Sequence, residues 1–153
     1  MTFRLLFFSL FTLLLTTACG SEDDGTSGPS DHFFNCKIDG VDYRSEGILA
    51  YATSFADGEL GVYGVQQDNT TIYLLLADGG SLGSYDLSTE DGNAFYVDAA
   101  GNASTTSDPN ASGTVTVNSF DGSRISGEFS FTSIDVNGAA TAITEGSFSV
   151  ELR

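Results

Sequence analysis

Residue types able to do chemistry are few and scattered in this chain of 153 residues. His32 is the only histidine and Cys19 and Cys36 are the only cysteines. Catalysis by a Ser, His and Asp arrangement needs a base held by its neighbours. His32 sits where a polar stretch gives way to the first apolar run, a mobile edge, so a solvated or partly packed side chain is expected there. A zinc-type site fails for want of His and Cys ligands. Calcium needs only oxygens, and Asp108-Pro109-Asn110-Ala111-Ser112-Gly113 echoes the first half of a calcium loop. The twelfth position is Ser119, however, where such a loop needs a bidentate acid, so a loop of turn formers is expected. Glu59, Glu128 and Glu145 are the strand-associated candidates for a glycosidase-type carboxylate pair, whose separation only the fold can set. No glycine-rich phosphate cradle follows a strand and opens a helix. The expectation is a non-enzyme with no catalytic residue, no metal and no cofactor.

One segment is apolar beyond what a core requires. Ile72-Tyr73-Leu74-Leu75-Leu76 has apolar residues at both parities, whereas a strand in a two-layer domain turns only one face to the core. With Ile72, Leu74 and Leu76 inward, Tyr73 and Leu75 point out, joined by Tyr51 and Tyr63 from adjacent strands. These four are the candidate ligand-binding residues, for a sugar stacked on Tyr or for another protein. The competing expectation is that residues 81–92 cover this face, or that the strand is simply central.

Cys19 has the most informative setting. Arg4 supplies a positive start, Leu5 to Leu15 is apolar apart from Ser9 and Thr12, and small residues follow to Ala18. These are the parts of a secretory signal peptide. A membrane-spanning helix needs about 20 apolar residues, and this run falls well short. Leu15-Thr16-Thr17-Ala18-Cys19 resembles the processing box of a bacterial lipoprotein precursor, with Thr16 standing where the commonest form has Leu. The resemblance implies removal of residues 1–18 and lipidation of Cys19, with a diacylglycerol on its sulfur and an acylated amino terminus, palmitate-type chains that anchor the protein. Two or more chains hold stably, at about 0.8 kcal/mol per buried methylene. Gly20 after the cysteine resembles lipoproteins sent on to an outer membrane. Ser21-Glu22-Asp23-Asp24 resembles the acidic tag of surface-exposed lipoproteins of Bacteroidota, which implies the cell surface, with the periplasmic face as the alternative.

The mature chain would set four basic residues against 21 acidic ones, a formal charge of −17. Nucleic acid is excluded as a partner, because binding it needs clustered Lys and Arg. Anionic lipid surfaces should repel the domain as well. Much of the acid belongs to turn dipeptides, Asp39-Gly40, Asp57-Gly58, Asp78-Gly79, Asp91-Gly92 and Asp121-Gly122, where Asp bonds local backbone and Gly accepts positive φ. With Cys19 lipidated, Cys36 has no partner in the chain and reads as a small buried hydrophobe. Residues 19–31 form the lipidated cysteine and an acidic tether of Gly, Ser, Thr and Pro. Its 12 residues from Gly20 to Asp31 reach about 40 Å when taut and roughly 20 Å as a coil.

The elements that must position the candidates lie in residues 32–153. Short runs of Val, Ile, Tyr, Phe and Thr alternate with turn dipeptides, and no period of 3.6 is sustained, which predicts a single antiparallel β-sandwich or open barrel. Nine strands are expected, near 33–38, 41–45, 48–55, 60–66, 71–77, 94–98, 113–119, 124–132 and 142–152, for a domain of eight or nine. A two-residue loop at Asp39-Gly40 sets Ile38 opposite Val41 and Cys36 opposite Tyr43. A three-residue loop at Asp121-Gly122-Ser123 sets Val117 opposite Gly127 and Val115 opposite Phe129. Gly127-Glu128-Phe129-Ser130-Phe131 and Gly146-Ser147-Phe148-Ser149-Val150 echo each other, as neighbouring strands under one packing demand would. These C-terminal segments, with Cys36-Lys37-Ile38-Asp39-Gly40, resemble small uncharacterised Bacteroidota lipoproteins, which implies a compact β domain and no functional residue. The expected function is a non-enzymatic binding or interaction module on the outer membrane, with a glycan or protein ligand. A small glycan-active hydrolase or a structural subunit of an envelope assembly are the alternatives.

Overall fold

The computed structural model describes residues 31–153. Cys19, the leader and most of the tether lie outside the described residues. Eleven strands form: β1 (Phe33–Ile38), β2 (Val41–Glu46), β3 (Ala50–Ser54), β4 (Leu60–Val65), β5 (Thr71–Leu76), β6 (Gly83–Asp86), β7 (Gly92–Val97), β8 (Ala103–Thr105), β9 (Ser112–Phe120), β10 (Arg124–Asp135) and β11 (Ala140–Leu152). A 3₁₀ turn at Gly47–Leu49 is the only helical piece among the described residues, and no helix there is long and apolar enough to cross a membrane. Nine strands coincide with the segments that alternation marks. β6 and β8 correct the expected count of eight or nine. Both are short and rich in Gly, Ser and Ala, so neither shows the alternation that reveals a strand.

All eleven strands join one sheet in the order β2-β1-β11-β3-β4-β5-β7-β8-β10-β9-β6, and β10 also pairs with β11. β11 runs antiparallel to β1 and β10, then passes the end of β1 and pairs in parallel with β3, Glu151 opposite Tyr51 and Leu152 opposite Ala52. The pairings thus return on themselves through β3, β4, β5, β7, β8, β10 and β11. One core fills the inside, built on Phe34, Leu60, Val62, Ile72, Leu74, Leu76, Val115, Ile125, Ile143, Phe148 and Val150, all nearly or fully excluded from solvent.

Turn chemistry sets the register. Asp39 and Gly40 have φ of 49° and 82°, as a two-residue type I′ loop requires, and Ile38 faces Val41 while Cys36 faces Tyr43. In the β9–β10 hairpin Val117 faces Gly127 and Val115 faces Phe129, but Phe120 faces Ile125, so the loop is one residue longer than expected. A bulge at Asn118 absorbs the difference and keeps the apolar residues on one face. Residues 55–59, 66–70, 98–102 and 135–139 share one loop design, in which the first N–H donates to the fifth carbonyl and the fourth N–H donates to the first carbonyl. The fourth residue has positive φ in each, and is Gly58, Asn69, Gly101 or Gly138.

The two echoed segments are neighbours. Gly127 faces Phe148 and Phe129 faces Gly146, so each glycine makes room for the other strand's ring. A Cβ on Gly127 would lie 2.8 Å from the Phe148 ring, and one on Gly146 would lie 2.6 Å from Phe129. The two rings meet with centroids 6.3 Å apart.

Candidate functional site

The candidate residues on β3, β4 and β5 fall on one outer face. Tyr51 faces Tyr63 and Tyr63 faces Tyr73 across the ladder, and Tyr73 faces Phe95 on β7. Adjacent strands are about 4.8 Å apart, close to ring-stacking distance, so aromatic residues in one cross-strand row can stack. They do so here: the centroids are 4.8, 4.5 and 5.6 Å apart and the planes lie within 15° of parallel. Arg153 closes the row at one end, its guanidinium carbon 5.2 Å from the Tyr51 centroid. The four rings are half-buried, as is Leu75 beside them.

Stacking decides what this face can offer. Tyr63 and Tyr73 each have ring neighbours on both faces, and Tyr51 has a ring on one and a cation on the other. The expected sugar stacked flat on Tyr73 therefore has no free ring face to use. Ring edges, which carry the positive side of the aromatic quadrupole, and hydroxyls are what the ladder turns outward. The Tyr63 and Tyr73 hydroxyls bond to each other. Burial raises the pKa of both, and at Tyr73 the bond to Tyr63 and the nearby Glu59 and Asp57 raise it further.

Gly61 allows the rings to lean. It lies opposite Leu75, and a Cβ there would come within 2.8 Å of Tyr63, 2.9 Å of Tyr73 and 3.1 Å of Phe55. Phe55, 38 % exposed, thus extends the aromatic row into the β3–β4 loop, which also carries Asp57 and Glu59. Of residues 81–92, Gly83–Asp86 form β6 on β9, and Tyr73 and Leu75 stay half-buried; β5 is central in the sheet, between β4 and β7, as the competing expectation had it. The other large exposed apolar side chains, Val41, Ile48, Leu82 and Val136, lie outside the ladder.

Sequence reasoning missed Phe95, Phe55, Gly61 and Arg153. Phe95 lies in an expected strand, but its place beside Tyr73 depends on β7 being the neighbour of β5, which no local pattern states. The Gly61 signal was an alternation break, Leu60-Gly61-Val62-Tyr63-Gly64-Val65, with glycines at both parities.

The other chemistry-bearing residues are accounted for by structure. His32 is partly packed, one of the two outcomes expected, and its neighbours tie it down: its Nε2 lies 3.0 Å from Glu151 Oε1 and 2.6 Å from Arg124 Nη2, and its carbonyl accepts the Gly47 N–H. Cys36 is buried with a free thiol, and burial pushes its pKa up to about 12. Asp108 accepts the Asn110 backbone N–H at 2.8 Å and its side-chain amide at 3.0 Å, an Asx turn leading into β9. No group of three or more His, Cys, Asp and Glu able to hold a metal occurs among the described residues. Four of the five Asp-Gly corners have Gly at positive φ; Gly92 instead starts β7, where a Cβ would stand 2.8 Å from the Leu75 carbonyl.

Of the three glutamates, Glu59 sits beside the aromatic row, while Glu128 and Glu145 line one open groove of about 430 Å³ with Thr114, Thr116, Ser130 and Ser147. Glu145 occupies a β11 bulge at φ 54° and pairs with Lys37 at 2.7 Å, an exposed contact. The outside of the sheet is thus aromatic over β3, β4, β5 and β7 and polar over β9, β10 and β11.

No curated protein and no solved structure matches the chain. A family model described as a domain of unknown function, DUF6252, matches residues 30–150, nearly the whole described span. The chain therefore belongs to the DUF6252 family.

Proposed function

We propose that this protein is a non-enzymatic interaction module, held by a lipid on Cys19 at the outer membrane with its domain toward the cell surface, and that the Tyr51, Tyr63, Tyr73, Leu75 face is its contact surface. The observation that carries the contact surface is the stacked row itself, an apolar ridge on the outside of a sheet whose core is already complete. Occupied ring faces favour a protein partner over a stacked sugar. The lipid anchor rests on the Cys19 setting in the sequence, and of the two shapes expected, sandwich or open barrel, the ring of pairings favours a barrel wrapped around its core. With the leader removed, the tether from the lipidated sulfur would leave the domain roughly 20 Å from the headgroups.

Two measurements test this. Intact mass of the mature protein from its native host should give a chain starting at Cys19 and carrying acyl chains; another start, or a free thiol, overturns the anchor. A photo-crosslinking amino acid at position 75 should give a discrete adduct on intact cells that one at position 126, on the polar side, does not. Equal yields at both positions, or none at 75, overturn the contact surface.

A second reading, a small glycan hydrolase, is favoured by the groove that Glu128 and Glu145 share. Release of reducing ends from cell-surface glycans, lost in Glu128→Gln, would support it, and turnover unchanged by that substitution would remove it.

A further inference from the structure

Building on the contact surface proposed above, we infer that the occupant of the aromatic face is a basic, extended polypeptide segment with aromatic or aliphatic anchor residues. Charge complementarity carries this. Residues 31–153 hold 18 acidic and four basic side chains. All four cations are engaged within the domain: Lys37 with Glu145, Arg44 with Glu46, Arg124 with His32 and Glu151, and Arg153 with Tyr51 and the Ile48 carbonyl. The field around the domain is therefore negative, and it steers cationic partners.

Local geometry places that charge at the ridge. Asp57 and Glu59 stand in the same loop as exposed Phe55, and both are close enough to act on the Tyr73 hydroxyl. The face is thus an apolar strip of Phe55, Tyr63, Tyr73 and Leu75 with carboxylates at one rim. Ring edges carry partial positive charge, so they repel ammonium groups and attract the faces of other rings. A partner therefore lays its own aromatic or aliphatic side chains across the edges and sends Lys or Arg to Asp57 and Glu59. An extended segment alternates side chains with a period of two and can do both at once.

The test uses the full mature chain and three labelled peptides, one alternating Lys and Phe, one alternating Glu and Phe, and one alternating Lys and Gly, with a neutral oligosaccharide as a fourth probe. The Lys-Phe peptide should bind at least tenfold more tightly than the others. Phe55→Ser and the double variant Asp57→Asn with Glu59→Gln should each weaken it tenfold or more; these changes fall in a loop, and thermal melting checks that the fold survives. Equal binding of the Lys-Phe and Lys-Gly peptides, or binding indifferent to both variants, overturns the inference. Binding of the oligosaccharide alone overturns it too. If no peptide binds while position 75 still crosslinks on cells, this inference fails and the contact surface stands. If position 75 also fails to crosslink, both fall.

Discussion

At the residue scale, the acid-rich composition is largely backbone chemistry. Asp121 accepts the Ser123 and Arg124 N–H groups at 2.8 and 2.7 Å and the Ser123 hydroxyl at 2.8 Å, and these bonds, the Arg124 one foremost, hold its pKa down to about 2. Asp86, Asp98 and Asp135 are shifted the same way by bonds to Ser88, Asn102 and Ala139 respectively. A carboxylate whose folded pKa lies below the unfolded value of about 3.9 stabilises the fold above that pH and ceases to as pH falls through the folded value. Melting temperature should therefore drop between about pH 4 and pH 2. Asp121→Asn should lie below the wild type at neutral pH and converge with it toward pH 2; parallel curves across that window would refute the assignment. Cys36 gives a second residue-scale outcome. Its buried thiol, pushed up to about 12, should resist a thiol reagent at pH 8 in the folded protein and react fully once denaturant unfolds it. Prompt reaction in the folded state would contradict the packing around β1.

At the element scale, the row of rings is the sheet's own reinforcement as well as the contact surface proposed above. Tyr73 has two ring neighbours and Tyr51 has one, so Tyr73→Ala should destabilise by about 2–3 kcal/mol and Tyr51→Ala by less, with Tyr73→Phe costing under about 1 kcal/mol. Denaturant midpoints would show the order, and a Tyr51→Ala loss equal to that of Tyr73→Ala would speak against a continuous row. Glycines should divide by cause. Gly127→Ala drives a Cβ to 2.3 Å from the Thr116 carbonyl, a backbone atom that cannot step aside, and should cost about 3 kcal/mol or prevent folding. Gly138→Ala meets open space and bears only the penalty of φ 83°, about 1 kcal/mol. Nine strands, the β1–β2 register and the Val117–Gly127 and Val115–Phe129 pairings were legible because alternation and Asp-Gly turns act over a few residues. β6 and β8 were not, since Gly83-Ser84-Tyr85-Asp86 and Ala103-Ser104-Thr105 are three or four residues long and offer one large apolar side chain, Tyr85, between them, too little for an apolar periodicity. Two register bulges, at Asn118 and around Glu145, were also invisible, because each is settled by the strand alongside.

At the scale of the whole molecule, three of the four ring positions on the outer face were recognisable from the parity of Ile72–Leu76 and the tyrosines on flanking strands. Phe95 and Arg153 joined them only through pairings between distant segments, β5 with β7 and the end of β11 with β3, which sequence proximity does not encode. The same long-range pairings separate two outer surfaces, one aromatic with an acidic rim and one polar with Glu128, Glu145 and four hydroxyls. The lipid proposed on Cys19 and the ridge on the domain would together suit a protein that holds a second macromolecule near a membrane. Covalent footprinting on intact cells, set against the purified mature protein, measures this most directly. Phe55, Tyr63, Tyr73 and Leu75 should be labelled in the purified protein and protected several-fold on cells, while Thr116 and Ser126 label alike in both. Equal labelling of the ridge in the two settings would contradict its occupation by a partner.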